Sequence, residues 1–94
     1  MYKLRLFIAG TESPTSKRAI EDVKTLFEKY LSDLYSFSII DVLDNPDISR
    51  KQNIFATPVL IRSYKNHDRR VFGNLSNPKK VLEKLGIVLT IRKR

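Results

Sequence analysis

The sequence has no cysteine and no tryptophan, and it contains only three glycines and one histidine among 94 residues. The absence of cysteine excludes disulfides, thiolate metal sites, iron–sulfur clusters and thiol redox catalysis, and it makes the cytoplasm the expected location. No apolar run approaches the roughly 20 residues that a membrane span needs, and the N-terminus lacks a signal-peptide pattern. We therefore expect neither insertion into a membrane nor export by that route.

Positive charge is concentrated in the second half of the chain. Residues 1–47 carry six Lys or Arg against eight Asp or Glu, a net charge of −2, whereas residues 48–94 carry twelve against two, a net charge of +10. A basic half indicates an acidic partner, and charge alone leaves open nucleic acid, a membrane surface or an acidic protein face. Length and composition otherwise describe a single domain over 1–94, with a basic tail at 87–94.

Apolar periodicity and turn residues divide the chain into seven elements. Alternation predicts a strand over 3–9, and spacings of three and four predict one amphipathic helix from Pro14 to about Leu34. The near-continuous apolar run 35–43 predicts a second strand that is buried on both faces. A short helix over 46–54 follows, then a hairpin of a strand from Pro58 and a strand over 69–72, and finally a helix from Pro78 that stops at Gly86.

This βαβαββα order is the topology of thioredoxins, an α/β fold with a mixed four-stranded sheet and helices on both of its faces. Thr57-Pro58 stands where that fold carries a cis-proline, and Gly73 stands just before the last helix. The segment 11–16 replaces the redox cysteine pair, so disulfide exchange is chemically impossible. The sequence therefore predicts a thioredoxin-like fold that serves binding.

Residues with catalytic potential lack the partners that catalysis requires. His67 has no second histidine or thiol, which favours a turn residue over a catalytic or metal-binding one. Asp41, Asp44 and Asp47 are spaced by three, but helix capping is favoured over a metal site. Most of six aromatic residues are expected in the core: Tyr2, Phe7, Phe37, Phe55, Tyr64 and Phe72. We expect no catalytic residue, no metal and no cofactor, and hence no enzyme.

Several segments together resemble the KaiB family of circadian clock proteins. They are YKLRLFIAG at 2–10, IDVL-x-NP at 40–46, IFATPVL at 54–60 and RR-x-x-GNLSN at 69–77. The resemblance spans about residues 2–86, and it implies a non-enzymatic regulator that binds the hexameric ATPase KaiC and modulates its phosphorylation cycle. It also implies fold switching, in which a ground-state βαββααβ fold, often tetrameric, exchanges with a monomeric thioredoxin-like fold that binds KaiC.

Carried across by position, the resemblance implies two sets of functional residues. The partner-binding set is Arg18, Arg50, Lys51, Asn53, Phe55, Arg69 and Arg70. The fold-switching or structural set is Tyr2, Pro58, Gly73, Lys84 and Gly86. Clock members tend to carry Lys at the positions of Ser38 and Asn53, and Gly at that of Lys84. Because Lys is favoured over Gly inside a helix by about 0.5–1 kcal/mol, we expect the thioredoxin-like state to dominate.

A KaiC-like ATPase is the expected partner, with KaiA-like proteins, a sensor histidine kinase and self-association as further candidates. Two alternatives to a clock function stay open. One is a KaiB paralogue that regulates a different protein in stress or signalling, and the other is a nucleic-acid binder that uses the basic half. The β-branched segment 87–91 favours the ground-state fold, because it can pair as a strand.

Overall fold

A computed structural model describes residues 2–88, which form a four-stranded sheet with three α-helices. In chain order the elements are β1 Tyr2–Ile8, α1 Pro14–Leu26, a π-helical segment Phe27–Leu31, β2 Tyr35–Asp41, α2 Pro46–Lys51, β3 Val59–Tyr64, β4 His67–Phe72 and α3 Pro78–Lys84. The strand order is β2-β1-β3-β4, with β1 parallel to β2 and antiparallel to β3, and β3 antiparallel to β4. The predicted α/β class, the βαβαββα order and the mixed sheet are confirmed.

The sheet separates two apolar clusters of unequal size. Leu6 of β1 lies in the larger cluster, together with buried side chains of α1 and α3 such as Leu85 at the end of α3. Its neighbour Phe7 points the other way and packs with Val59 and Ile61. We call the side of the sheet that carries Leu6 the first face and the side that carries Phe7 the second face. Their fully buried side chains supply most of the favourable free energy of folding.

Two of the three helices begin with a side-chain cap at a Ser or Asn directly before a proline, a pattern typical of helix starts. The side chains of Ser13 and Asn77 each accept a hydrogen bond from the backbone N–H three residues later, at 3.1 and 3.2 Å, and a proline follows each cap. Asn45, before α2, makes no such cap. Its side-chain amide instead donates to the carbonyl of Asp41 at 2.9 Å, which ties the start of α2 to the end of β2.

The first helix ends earlier than its apolar spacing predicts. α1 stops at Leu26 and continues as the π-helical segment, so that Leu26 and Leu31, five residues apart, are both buried. A π-turn has an i to i+5 hydrogen bond and brings such positions onto one side of the helix. Tyr30, which α-helical spacing places on the apolar side, is exposed for the same reason, and the exposed Leu34 lies beyond the helical segment.

The prediction that the second strand is buried on both faces is wrong. Within residues 2–88, β2 ends at Asp41 and is an edge strand that pairs only with β1. Its Phe37 is half-buried, and Ile39 is 40% exposed although it pairs with the fully buried Leu6. An apolar run indicates a strand of the sheet, but it does not distinguish the edge from the centre.

The remaining boundaries differ from the prediction by a few residues. α2 ends at Lys51 rather than near 54, and β4 begins at His67 rather than Arg69. The hairpin turn is therefore Lys65-Asn66, and His67 is the first residue of a strand opposite Tyr64 rather than a turn residue. The basic residues of the tail and most of the segment 87–91 lie outside the described residues.

Candidate partner-binding surface

α2 is a helix of six residues that contributes no buried side chain. Arg50 and Lys51 occupy its last turn, where both are exposed. Cations are favoured at this end of a helix because the peptide dipoles leave it partly negative. Arg50 also forms an ion pair with Asp47, one turn earlier on the same side. Since no apolar side anchors α2, its place on the protein is set by the contacts at its two ends.

Asn53 ends α2 through a Schellman motif. Its φ is +54°, its N–H donates to the carbonyl of Arg50 at 3.1 Å, and the N–H of Ile54 donates to the carbonyl of Ser49 at 3.0 Å. The position needs a residue that tolerates the left-handed region, and asparagine is the usual choice after glycine. Asn53, predicted to bind a partner, therefore has a structural task of its own.

Arg70 reaches from β4 to this end of α2. Its Nη1 donates to the carbonyl of Asn53 at 3.2 Å, and its Nη2 donates to the carbonyl of Gln52. Arg70 pairs with Ile61 in the sheet and so lies on the second face. The guanidinium satisfies two carbonyls that the helix leaves without intrahelical partners, and it fixes the end of α2 to the sheet.

Arg69 lies on the opposite side of the sheet from Arg70. Successive residues of a strand alternate between faces, so Arg69 is on the first face. Its guanidinium packs over Gly86, where a Cβ would lie 3.1 Å from Arg69 Cζ and Nε. The structure thus separates two arginines that the sequence places in one partner surface. The two-residue period of the predicted strand already carries this signal.

Two phenylalanines depart from the expectation that most aromatic side chains lie in the core. Phe55, in the loop between α2 and β3, is 89% exposed, and Phe72, at the end of β4, is 50% exposed. Exposed aromatic side chains and arginines are typical of protein interfaces, where such residues carry much of the binding energy, and Phe55 follows the basic end of α2 by four residues. We refer to Arg50, Lys51, Phe55 and Arg70 as the α2 surface.

Arg18 lies elsewhere, on the exposed side of α1. It borders a shallow groove of about 270 Å³ that Pro58 and Gly73 also line. The Thr57-Pro58 peptide bond is cis, as the thioredoxin-like position of this proline predicts. The groove places Arg18 beside the loop that leads from Phe55 into β3. Of the predicted partner-binding residues, Arg18 and Arg69 are therefore outside the α2 surface.

Tyr2 connects three strands at one end of the sheet. Its ring centre lies 4.7 Å from that of Tyr35 in β2 and 4.1 Å from that of Tyr64 in β3. The guanidinium carbon of Arg62 lies 5.0 Å from the Tyr2 ring centre, and Arg62 Nη1 donates to the carbonyl of Leu85 at 3.3 Å. Tyr2 is thus linked through Arg62 to the end of α3.

Gly86 ends α3 with a second Schellman motif. Its φ is +71°, its N–H donates to the carbonyl of Glu83 at 3.0 Å, and the N–H of Ile87 donates to the carbonyl of Leu82 at 2.9 Å. The predicted helix stop is confirmed. Lys84 is the last residue of α3, where its exposed ammonium group interacts favourably with the helix dipole.

Within residues 2–88 no group of three or more side chains is arranged to hold a metal ion. Asp41, one of the three spaced aspartates, instead accepts hydrogen bonds at Oδ1 from the N–H groups of Gly10 and Leu43, at 2.9 and 3.0 Å. Its carboxylate therefore stabilises the loops that follow β1 and β2. Over the same residues, the helices lack the length and apolar character needed to cross a bilayer.

The chain is similar in sequence to clock proteins of cyanobacteria. The KaiB domain family matches residues 5–87. The circadian clock oscillator protein KaiB of Thermostichus vulcanus is 40% identical over 81 residues, which cover 86% of this chain and 74% of the relative. The circadian clock oscillator protein KaiB1 of a Synechocystis strain is 37% identical, with coverage of 86% and 76%.

Solved structures that resemble this fold have much lower sequence identity. The N-terminal domain of SasA from Synechococcus elongatus has a TM-score of 0.68 at 19% identity and covers 89% of this chain and 78% of its own. Mitochondrial thioredoxin 3 from Saccharomyces cerevisiae has a TM-score of 0.72 at 20% identity, with coverage of 90% and 76%. These similarities establish the thioredoxin-like architecture.

Proposed function

The chain belongs to the KaiB domain family, and from this premise we propose that it is a non-enzymatic, circadian-clock-type regulator that binds a KaiC-like hexameric ATPase and modulates its phosphorylation cycle. The clock role follows from relatives that are named circadian clock oscillator proteins. The choice of partner and the mode of action are extensions from the family resemblance.

The observation that supports binding most directly is the α2 surface. It combines the almost fully exposed Phe55 with Arg50 and Lys51 at the end of a helix. No side chain of α2 is buried in the core. Phe55 supplies apolar area that a partner would bury, while Arg50 and Lys51 attract and orient an acidic face. We therefore place the centre of the ATPase contact at Phe55, with Arg18 at its edge beside the Pro58 loop.

Fold switching is the proposed means of control. The exchange would keep the first half, β1 to β2, and repack the second half, so both packings must lie within a few kcal/mol of each other. Tyr2, Pro58, Gly73, Lys84 and Gly86 are the positions at which we expect this balance to be set. Because no side chain of α2 is buried, little apolar packing opposes its rearrangement, and this supports fold switching.

Binding can be measured with a purified KaiC hexamer on a biosensor, together with the time course of hexamer phosphorylation. We expect Phe55→Ala and the double variant Arg50→Gln, Lys51→Gln each to weaken binding by about ten-fold or more, as for the central residues of an interface. The matched control is Lys79→Gln, Lys80→Gln, which removes the same charge from the exposed part of α3. If both double variants lost affinity for the hexamer equally, the loss would be a general effect of charge and would contradict binding through the α2 surface.

Backbone chemical shifts of the free and the hexamer-bound protein test the switching part separately. A hairpin over 59–72 in the bound state, with a helical 59–72 segment populated in the free state, supports exchange. The same hairpin in both states, without a second set of signals, excludes a role for switching but leaves binding intact.

A second candidate is regulation of a different protein in stress or signalling. It is favoured by Ser38 and Asn53, which replace the lysines of clock members, because two missing cations would weaken an interface with an acidic face. Failure to bind the hexamer, with the fold intact, would favour this candidate. KaiA-like proteins and a sensor histidine kinase are further partners to test, and so is self-association of this chain. An affinity for DNA that falls steeply with salt concentration would instead indicate nucleic-acid binding.

A further inference from the structure

The second face of the sheet has an open polar end. Near the end of α2, Phe7, Val59 and Ile61 form the small apolar cluster. Two and four residues earlier in β1, Arg5 and Lys3 lie on the same face. They border an open cavity of about 680 Å³, within the usual range for small-molecule sites, whose other walls include Ser63, Asp68, Gln52 and Lys65.

The charge of Arg5 is only weakly compensated by its neighbours. Its side chain is 21% exposed, and Nη2 donates to Ser63 Oγ at 2.9 Å and to Gln52 Oε1 at 3.4 Å. The carboxylate of Asp68 is at 4.0 Å from Nη2, the limit of an ion pair. Within the described part of the chain, Arg5 Nε is buried and has no hydrogen-bond partner. A largely buried guanidinium usually has a close anionic partner, so this one is short of negative charge.

The other charged groups of the cavity increase this excess. Lys3 pairs with Ser63 across the strands, and Ser63 pairs with Asp68, so all three lie in one row of the sheet. Lys65 stands at the rim, with its Nζ packed 5.3 Å from the centre of the Tyr64 ring. Lys3 and Arg5 thus face one carboxylate, that of Asp68, and the side chains that line the cavity are polar or charged. Such a site favours a compact oxyanion, which a guanidinium binds through its planar fork.

We propose that this cavity binds the phosphate group of a small phosphorylated molecule. Arg5 and Lys3 contact the phosphate, Ser63 donates its hydroxyl, and Asp68 limits the affinity by repelling the anion. The site adjoins the α2 surface at Gln52, whose carbonyl accepts a hydrogen bond from Arg70, but it does not depend on the ATPase partner.

The experiment is an NMR titration of the whole chain, which follows the backbone amides and the Arg5 Nε–H signal. The probes are inorganic phosphate, ribose 5-phosphate and ADP, at constant ionic strength. We expect the largest shifts at Arg5, Ser63 and Asp68. Tighter binding of ribose 5-phosphate or ADP than of phosphate identifies a phosphorylated metabolite as the ligand class, whereas equal affinities identify free phosphate.

Two variants with opposite expected effects keep the proposal falsifiable. Lys3→Gln should weaken binding about ten-fold, as loss of a charged hydrogen bond does, and Asp68→Asn should strengthen it about two- to five-fold. The matched controls are Lys24→Gln on α1 and Asp33→Asn before β2, which change the same charges at exposed positions elsewhere. Equal effects in variants and controls, or shifts centred away from the cavity, would overturn the proposal, and the amide spectra report whether each variant is folded.

Discussion

Replacing Gly86 by alanine tests the end of α3, where two effects act on one residue. The first is backbone conformation, since φ is +71° and the residue closes a Schellman motif. The second is crowding, since the added Cβ would lie 3.1 Å from Arg69 Cζ and Nε. Both effects destabilise the folded state, and their sizes differ.

The conformational effect is the larger one. A left-handed backbone costs an L-residue about 1–2 kcal/mol, and alanine recovers about 0.4–1 kcal/mol by restricting the unfolded chain. The net loss is then about 1 kcal/mol. The crowding adds little, because the atoms it meets belong to the end of a flexible arginine side chain that can move away. A loss of about 1 kcal/mol lowers the melting temperature of a domain of this size by about 4–8 °C.

Gly73→Ala is the matched control for this prediction. Gly73 has φ of +81°, and a Cβ there would meet no atom within 4 Å. Urea denaturation of both variants should therefore give similar losses in the free energy of unfolding, within about 0.5 kcal/mol, without a change in the slope. A neutral Gly86→Ala would refute the left-handed cap. A loss in Gly86→Ala that clearly exceeds the control would show that Arg69 cannot move and is held on α3.

Two further substitutions test helix ends. Asn53→Lys introduces the residue typical of clock members. It should lower the free energy of unfolding in urea by about 1 kcal/mol, because lysine tolerates positive φ less well than asparagine. An unchanged midpoint would contradict the Schellman motif at the end of α2. Ser13→Ala should cost about 1 kcal/mol by the same measurement, since it removes the cap of α1, while Ser32→Ala at an exposed position serves as the control and should be nearly neutral.

Features that depend on a few neighbouring residues were predictable from the sequence. The caps at Ser13 and Asn77 and the stop at Gly86 each need only a local pattern of residue types. The positions of these helix ends limit where the strands can begin. For this reason the predicted order of helices and strands agrees with the observed one. The fold followed because few topologies connect that order with short, right-handed crossovers.

Features that depend on the whole sheet were not predictable from local pattern. The run 35–43 is as apolar as a central strand, yet β2 is at the edge, and only the pairing of β1 with β3 decides this. Likewise, the apolar spacing of the first helix fits one α-helix through Leu34, whereas packing of Leu31 into the core selects a π-turn. In both cases tertiary burial overrides a local period.

The same distinction applies to the basic half and its functional meaning. Among the described residues, the arginines of this half all add positive charge for a partner, but three of them also make contacts within the fold. Arg62 donates to the end of α3, Arg69 packs over Gly86, and Arg70 donates to the end of α2. These side chains couple β3 and β4 to the ends of the two helices that flank the hairpin. Any rearrangement of the second half must break these contacts, so the arginines that make the half basic also stabilise its thioredoxin-like packing.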